Sequence, residues 1–265
     1  MYRLELQEIH DHPAFPCFLR DLVTDGLQSL WEFGNSYQPI LGRLLESMNR
    51  AGTIQVLDLC SGGGGPWLRL ARDPAVRKSS AIAVTLTDKY PNRRAFEQAS
   101  SVSSSLSFED CSTDATAIPP RLEGFRTIFS SFHHFGRDQA AMILEDAMER
   151  QRGIGVFEIA RRSVLTLLSI CCIPALSWFL APTIRPFSWS RLLWTYLIPI
   201  VPFVLWYDGI VSCFRAYSRK ELEEMLRPLK RKGYQWHVGE DRSGFLAVTY
   251  VLGYPVLELA RPDAV

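Results

Sequence analysis

The chain has 265 residues, 47% of them apolar and 12% aromatic, with 29 Lys and Arg against 28 Asp and Glu. So large an apolar fraction excludes disorder, and a net charge of +1 gives no global field to hold a phosphate backbone, so no nucleic-acid partner is expected. The mean hydropathy of +0.01 is high for a soluble enzyme and low for a multi-span membrane protein, so the placement of the apolar residues matters more than their number.

The opening run MYRLELQEIHDHP alternates charged and apolar residues and does not read as a secretory signal. Its Glu8, His10, Asp11 and His12 form an acid and histidine cluster. Without a further ligand in the sequence, this cluster reads as a solvated turn before Pro13, and no metal is expected. Six cysteines (Cys17, Cys60, Cys111, Cys171, Cys172, Cys213) include no C-x-x-C pair. They read as reduced thiols of a cytoplasmic protein, most of them packed as small apolar groups.

Residues 1–50 are expected to form a helical cap, with apolar residues at helical spacing from Phe18 to Leu45 and breaks at Gly34 and Pro39. From Thr53 the pattern changes. TIQVLDLC is a short β-rich run ending in a glycine cluster, and PWLRLARD behind it is a helix opened by Pro66. AIAVTLTD (81–88) predicts a second strand, PNRRAFEQAS a second helix, SLSFEDCSTDAT (105–116) a third strand and FRTIFSSF (125–132) a fourth. The run ASSVSSSLS (99–107) reads as the loop before the third strand. A helix over RDQAAMILEDAMERQ leads to a fifth strand in GIGVFEI (153–159). Near the C-terminus Ser218 and Glu221 form a capping box, and YQWHVGE, a turn at DRSG and FLAVTYVLGY predict an antiparallel hairpin. Alternating strands and helices of this kind specify an α/β fold with a mostly parallel sheet covered on both faces.

The glycine loop VLDLCSGGGGPW (56–67) is the strongest local signal. Glycines after a first parallel strand let a ligand approach the backbone, and the free amides of the next helix favour a negative group. A nicotinamide-type G-x-G-x-x-G lacks its third glycine, and no Gly-Lys-Ser/Thr follows to make a P-loop. Asp58, Gly62 and Gly64, then Asp88 at the end of the second strand, then the Asp114-Ala115 pair, resemble the class I S-adenosylmethionine-dependent methyltransferases over roughly residues 50–255. FSSFHHF and FEIA look similar to the ubiquinone/menaquinone C-methyltransferase-like group.

That resemblance implies a Rossmann-like doubly wound sheet of five parallel strands plus the hairpin, formed by residues 51–162 and 215–257, with S-adenosylmethionine (SAM) as cofactor. It places Gly62, Gly63 and Gly64 beneath the methionine part of SAM and Asp58 near its ammonium group. Asp88 would take the ribose hydroxyls, and Asp114 and Ala115 the adenine, with Ser130 also among the cofactor residues. Cys60 stands where the family has its first glycine. Tyr37 falls where relatives carry a flap over the cofactor: it either touches a ligand, with the substrate the first candidate, or simply packs.

His133 and His134 fall at the end of the fourth strand, on the edge where ligands of doubly wound folds bind. Either is a candidate to take a proton from an acceptor. Strand alternation predicts that only one of them faces the site. Glu158, ending the fifth strand, either orients a substrate group or pairs with Arg161 or Arg162.

Residues 163–214 are an apolar insertion with four of the seven tryptophans, charged only at Arg185, Arg191 and Asp208. The 22 uncharged residues of SVLTLLSICCIPALSWFLAPTI are long enough to cross a bilayer, whereas the 16 of LLWTYLIPIVPFVLWY are short. Three arrangements fit: a two-span hairpin with Arg185 and Arg191 on the far side, a hairpin lying in the membrane interface, or a soluble lid over the substrate pocket. All three point to a hydrophobic small-molecule or lipid acceptor, and the first two to a membrane-associated cytoplasmic enzyme. The alternatives to methyl transfer are cyclisation or elimination on the same cofactor-binding fold, and a non-catalytic membrane-bound interaction protein.

Overall fold

The alternating apolar runs fold into one seven-stranded sheet in a computed structural model of the chain, which describes residues 2–78, 82–243 and 246–256. Helices α1 (Cys17–Gly34) and α2 (Leu41–Arg50) come first, separated by a 3-10 turn over Gln38–Ile40. There follow β1 (Gln55–Leu59), the short α3 (Trp67–Leu70) and α4 (Pro74–Lys78), β2 (Ala83–Leu86), α5 (Arg93–Val102), β3 (Leu106–Phe108) and β4 (Phe125–Phe129). Then come α6 (Arg137–Glu149), β5 (Ile154–Glu158), α7 (Val164–Ile170), α8 (Ile173–Leu180), α9 (Trp189–Leu192) and α10 (Ile200–Arg215). The last elements are α11 (Arg219–Leu226), β6 (Tyr234–Ser243) and β7 (Leu246–Pro255).

The strand order is β3-β2-β1-β4-β5-β7-β6, with β1 to β5 parallel and β7 antiparallel to both β5 and β6. This is the expected α/β sheet of five parallel strands with a terminal antiparallel hairpin. Every residue of β4 and β5 is buried, which explains their near-continuous apolar runs. The charged residue among those of β4, Arg126, is neutralised by Asp146 of α6 at 2.7 Å. The order reverses between β1 and β4, so a crevice opens at the carboxyl ends of these two strands, the usual ligand position in such sheets.

Local capping sets several helix starts. Asn92 accepts the Ala95 N–H before α5, Ser163 the Thr166 N–H before α7, and the Ser218–Glu221 capping box opens α11 as the sequence indicates. The helix expected over PWLRLARD is instead two short pieces, α3 and α4. Residues 99–102 complete α5 instead of forming a loop. Asp241, Arg242 and Ser243, expected in the turn, remain in β6, paired with β7; Gly244 of that expected turn, Phe245 of the strand after it and Ala81 of the second expected strand lie outside the described residues. Four of the six cysteines are exposed and only Cys213 is buried, against the expectation that most would pack.

The insertion folds as α7 to α10 and docks on α1. Leu19, Leu22 and Val23 of α1 meet Val201, Val204 and Leu205 of α10 in one buried cluster, each side chain contributing roughly 1.5–3 kcal/mol. The helices cross so closely at Gly26 that an added Cβ would sit 3.1 Å from Leu205. Arg191 is 1% exposed, with its guanidinium 2.7 Å from Asp25 of α1 and donating to the carbonyls of Ile184 and Pro186. This pair corrects the two-span arrangement, because an Arg191 bound to α1 is not on the far side of a bilayer. Among the described residues no single helix is long and apolar enough to cross a membrane. Only Trp189–Leu197 together with Ile200–Arg215, bent by 71°, has that length and composition.

Candidate active site

Both strands that flank the crevice end in a left-handed residue. Cys60 after β1 has φ 57° and Ser130 after β4 has φ 44°, conformations that cost a non-glycine residue about 1–2 kcal/mol. The Cys60 turn survives without its family glycine because neighbouring bonds hold it: the Ser61 N–H donates to Thr87 O at 2.9 Å and the Gly64 N–H to Ser61 O at 2.8 Å. Gly62 and Gly64 follow with φ 54° and 110°, which only glycine adopts without strain.

A cavity of about 400 Å³ opens over these strand ends, within the range of small-molecule sites. Of the expected cofactor residues, Cys60, Gly62, Gly63, Asp88, Asp114, Ala115 and Ser130 all line it. Asp88 accepts the N–H groups of Gly62 and Tyr90, each at 2.8 Å, so it fixes the glycine loop while each of its oxygens keeps a free lone pair. Burial raises the Asp88 pKa against those two bonds. Asp114 lies at the rim. Partial burial opposes its ionisation, but bonds from Thr116 and Lys89 hold its carboxyl below the usual value.

Asp58 and Gly64 are not among the residues that line the cavity. Gly64 turns inward toward Leu68. Asp58 is 1% exposed, accepting hydroxyl bonds from Ser61 at 2.6 Å and Thr127 at 2.5 Å, so it ties β1 to β4 beneath the loop. Burial pushes its pKa from 3.8 to about 7 despite these bonds. The folded chain therefore keeps a proton that the unfolded chain has released, and stability falls as pH rises from 3.8 through about 7. Melting curves across that range check this. Asp58→Asn flattens that part of the profile by up to a few kcal/mol, and an unchanged slope contradicts the assignment.

The far end of the cavity is built from three distant segments. Glu8, His10 and Asp11 come from the N-terminus, His133 and His134 from the turn after β4, and Asp208 and Ser212 from α10. The two histidines stand in a 3-10 turn over Phe132–His134, not on the strand, so alternation does not apply and both line the cavity, their rings stacked at 4.4 Å. That turn forms because Glu158 accepts the N–H of Phe132 at 2.7 Å and of His133 at 3.3 Å, while its other oxygen meets His133 Nδ1 at 2.8 Å. Glu158 thus supports His133 from behind; it neither reaches the cavity nor pairs with Arg161 or Arg162, which bind Glu240 and Glu221.

Of the readings open for Tyr37, packing is the one seen: it is buried, edge-on to Phe129, and bonds Ser130 Oγ through its hydroxyl at 2.5 Å, so it positions Ser130 and is not among the residues lining the cavity.

The N-terminal cluster is not a solvated turn. Leu4 N–H donates to Phe214 O at 3.0 Å and Ile9 N–H to Asp208 at 2.7 Å, which pin the segment on α10. His10 Nδ1 meets Asp208 at 2.7 Å and His134 Nδ1 meets Asp11 at 2.6 Å; Glu8 lies between the histidines, 3.4 Å from His133 Nε2 and 3.7 Å from His134 Nε2. Burial alone would depress the His133 imidazolium, but the carboxylates of Glu158 and Glu8 push its pKa up to about 10. The same histidines draw Glu8 down to about 2 against the opposing effect of its burial. Glu8, His10 and Asp11, read in the sequence as a solvated turn, and Asp208, not expected at the site, all line the cavity. The available signal for Asp208 was that it is the only acid in an apolar stretch of 52 residues.

No family model matches the sequence, and no curated protein matches it. Among solved structures, human N-acetylserotonin methyltransferase in complex with SAM aligns with a TM-score of 0.51 at 12% identity, over 94% of this chain and 63% of that one. A SAM-dependent methyltransferase from Aquifex aeolicus aligns with a TM-score of 0.50 at 14% identity, over 86% of this chain and 96% of that one. The chain has the fold of the class I SAM-dependent methyltransferases. Within this methyltransferase fold the cavity lies at the sheet's reversal point, with the glycine loop and the carboxylates of Asp88 and Asp114 on one side and the histidine cluster and insertion on the other. The donor set at the first side fits SAM: backbone at Gly62 and Gly63 for the methionine part, Asp88 for a diol and Asp114 for an amino group.

Proposed function

We propose that the chain transfers a methyl group from SAM to a hydrophobic small-molecule or lipid-like acceptor at a membrane surface. The observation that carries this reading is one cavity with two chemically different ends. The polar end is formed by Gly62, Gly63, Asp88 and Asp114, and the other is walled by Ile159, Ile170, Ile173 and Leu205 beside the histidine cluster. SAM, when bound, supplies an electrophilic methyl on a sulfonium. Methyl transfer from such a group is an in-line displacement, so the chain's main tasks are alignment and exclusion of water. The glycine loop and Asp88 hold one reactant, and α7, α8 and α10 close the apolar end over the other. His134, oriented by Asp11, borders the acceptor end and is the place for a proton to leave an acceptor hydroxyl; His133, held by Glu158, lines the cavity beside it. The finer likeness, to the ubiquinone/menaquinone C-methyltransferases, rests on the FSSFHHF and FEIA segments, which supply this His133–Glu158 pair.

The test is to incubate the chain with methyl-labelled SAM and a lipid extract of its source. Label appears in the apolar fraction, and its absence there with every extract fraction contradicts the acceptor class.

The membrane part of the reading rests on the outer side of the insertion. Leu168, Phe179, Trp189, Leu197 and Phe203 are each more than half exposed there, a concentration of large apolar side chains that marks an interaction surface. Helices lying in the interface, with tryptophan at headgroup depth, accommodate the prolines and leave the Arg191–Asp25 pair intact. The chain floats with liposomes in a density gradient, and Phe179→Ser with Trp189→Ser releases it. A wild-type chain that stays at the bottom of the gradient contradicts membrane docking.

A further inference from the structure

The cofactor end of the cavity does not account for the charge gathered at the other end. Glu8, Asp11, Glu158 and Asp208 bring four carboxylates together around three histidines, where Glu8 and His133 are each 2% exposed. Arg215, 3.5 Å from Asp11, and the histidines paired with these carboxylates offset them.

The histidines share one orientation. Nδ1 of His133 is 2.8 Å from Glu158, Nδ1 of His134 is 2.6 Å from Asp11, and Nδ1 of His10 is 2.7 Å from Asp208. A carboxylate on Nδ1 keeps that nitrogen protonated, so Nε2 is the nitrogen that gives up its proton to a bound cation, the arrangement found behind metal-ligating histidines. Nε2 of His133 and of His134 then converge on the two oxygens of Glu8, at 3.4 and 3.7 Å. His133 Nε2 is buried and, apart from this approach of Glu8, has no hydrogen-bond partner among the described residues. A tetrahedral cation with bonds of 2.0–2.1 Å holds neighbouring ligand atoms about 3.3–3.4 Å apart, close to these separations. One donor atom from each of Glu8, His133 and His134 lies within 4.8 Å of the others.

We propose that Glu8, His133 and His134 bind a divalent first-row transition-metal ion of the Zn²⁺ type, with Glu158 and Asp11 holding the two imidazoles in place. Two histidines and one carboxylate leave coordination positions open, and all three residues line the cavity, so the open side faces the acceptor end. An acceptor oxygen would bind there and release its proton to solvent, and His134 would then be a ligand of the ion in place of the proton acceptor it is without one. That role rests on the proposed methyl transfer, whereas ion binding does not.

The test is a titration of the full chain, made without a histidine tag and stripped by a chelator, with Zn²⁺ alone against a chromophoric competitor. One equivalent binds. Glu8→Gln and His134→Gln each weaken binding by about 100-fold or more, and Glu158→Gln by roughly 10–100-fold, the usual effect of losing a supporting carboxylate. His12→Ala, at an exposed position outside the cluster, leaves it unchanged. Circular dichroism identifies which variants fold, and His134→Gln decides the matter if Glu8→Gln does not. Absence of stoichiometric uptake by the wild-type chain, or uptake that every folded ligand variant retains, overturns the proposal. Because neither SAM nor acceptor is present, failure here leaves methyl transfer standing, and failure of methyl transfer leaves this result standing.

Discussion

Replacing Asp88 with Ala lowers SAM affinity by about 100-fold or more. Two separate losses add up to this. The carboxylate accepts the Gly62 and Tyr90 N–H groups at 2.8 Å, so its removal frees the glycine loop from the end of β2. Its remaining lone pairs face the cavity, where a ribose diol would donate two charge-assisted bonds worth about 1.5–3 kcal/mol each. Asp88→Asn keeps part of the loop contact and falls between the two. Titration calorimetry measures all three chains, and an Asp88→Ala affinity within about threefold of wild type, under 1 kcal/mol, would remove SAM from this end of the cavity.

Arg191→Ala lowers folding stability by roughly 3–5 kcal/mol, the cost of breaking a buried pair from one side. It strips Asp25 of its 2.7 Å guanidinium partner, leaving it the Asn92 side chain at 3.0 Å, and frees the carbonyls of Ile184 and Pro186 that Arg191 holds. The insertion then loses its polar attachment to α1 while the α1–α10 apolar cluster remains. Activity toward an apolar acceptor therefore falls more than SAM affinity does, because Arg191 does not line the cavity and the insertion walls its acceptor end. Denaturant unfolding gives the first number and calorimetry the comparison. A loss below about 1 kcal/mol means that the pair does not anchor the insertion.

The sheet was legible in the sequence because its signals are local: β-rich runs ending in glycine or acid, amphipathic helices between them, and a capping box at Ser218. The cofactor end was legible for the same reason. Cys60, Gly62 and Asp88 lie within three residues of the end of a parallel strand, and Asp114 in the segment after β3, so the topology brings them to one edge.

The acceptor end was not legible, since its geometry is made by contacts across large sequence separations. Whether Glu8 is solvated or buried depends on Ser212 and on His133 and His134 meeting it, and nothing near position 8 encodes that. The alternation argument for His133 and His134 failed at Ser130, whose left-handed backbone takes the chain out of β4, and Glu158 then holds the following residues in a 3-10 turn. Asp58 shows the converse error. It sits at the right place in the motif, but Ser61 and Thr127 take its oxygens beneath the loop, so it supports the site instead of lining it.

The most direct test of the account is the stoichiometry of S-adenosylhomocysteine to labelled product when the chain acts on an apolar acceptor with methyl-labelled SAM. The account predicts one S-adenosylhomocysteine for each methyl group recovered in the product, with both lost together in Asp88→Ala. Conversion of the acceptor without S-adenosylhomocysteine, or a yield that Asp88→Ala leaves unchanged, would contradict it.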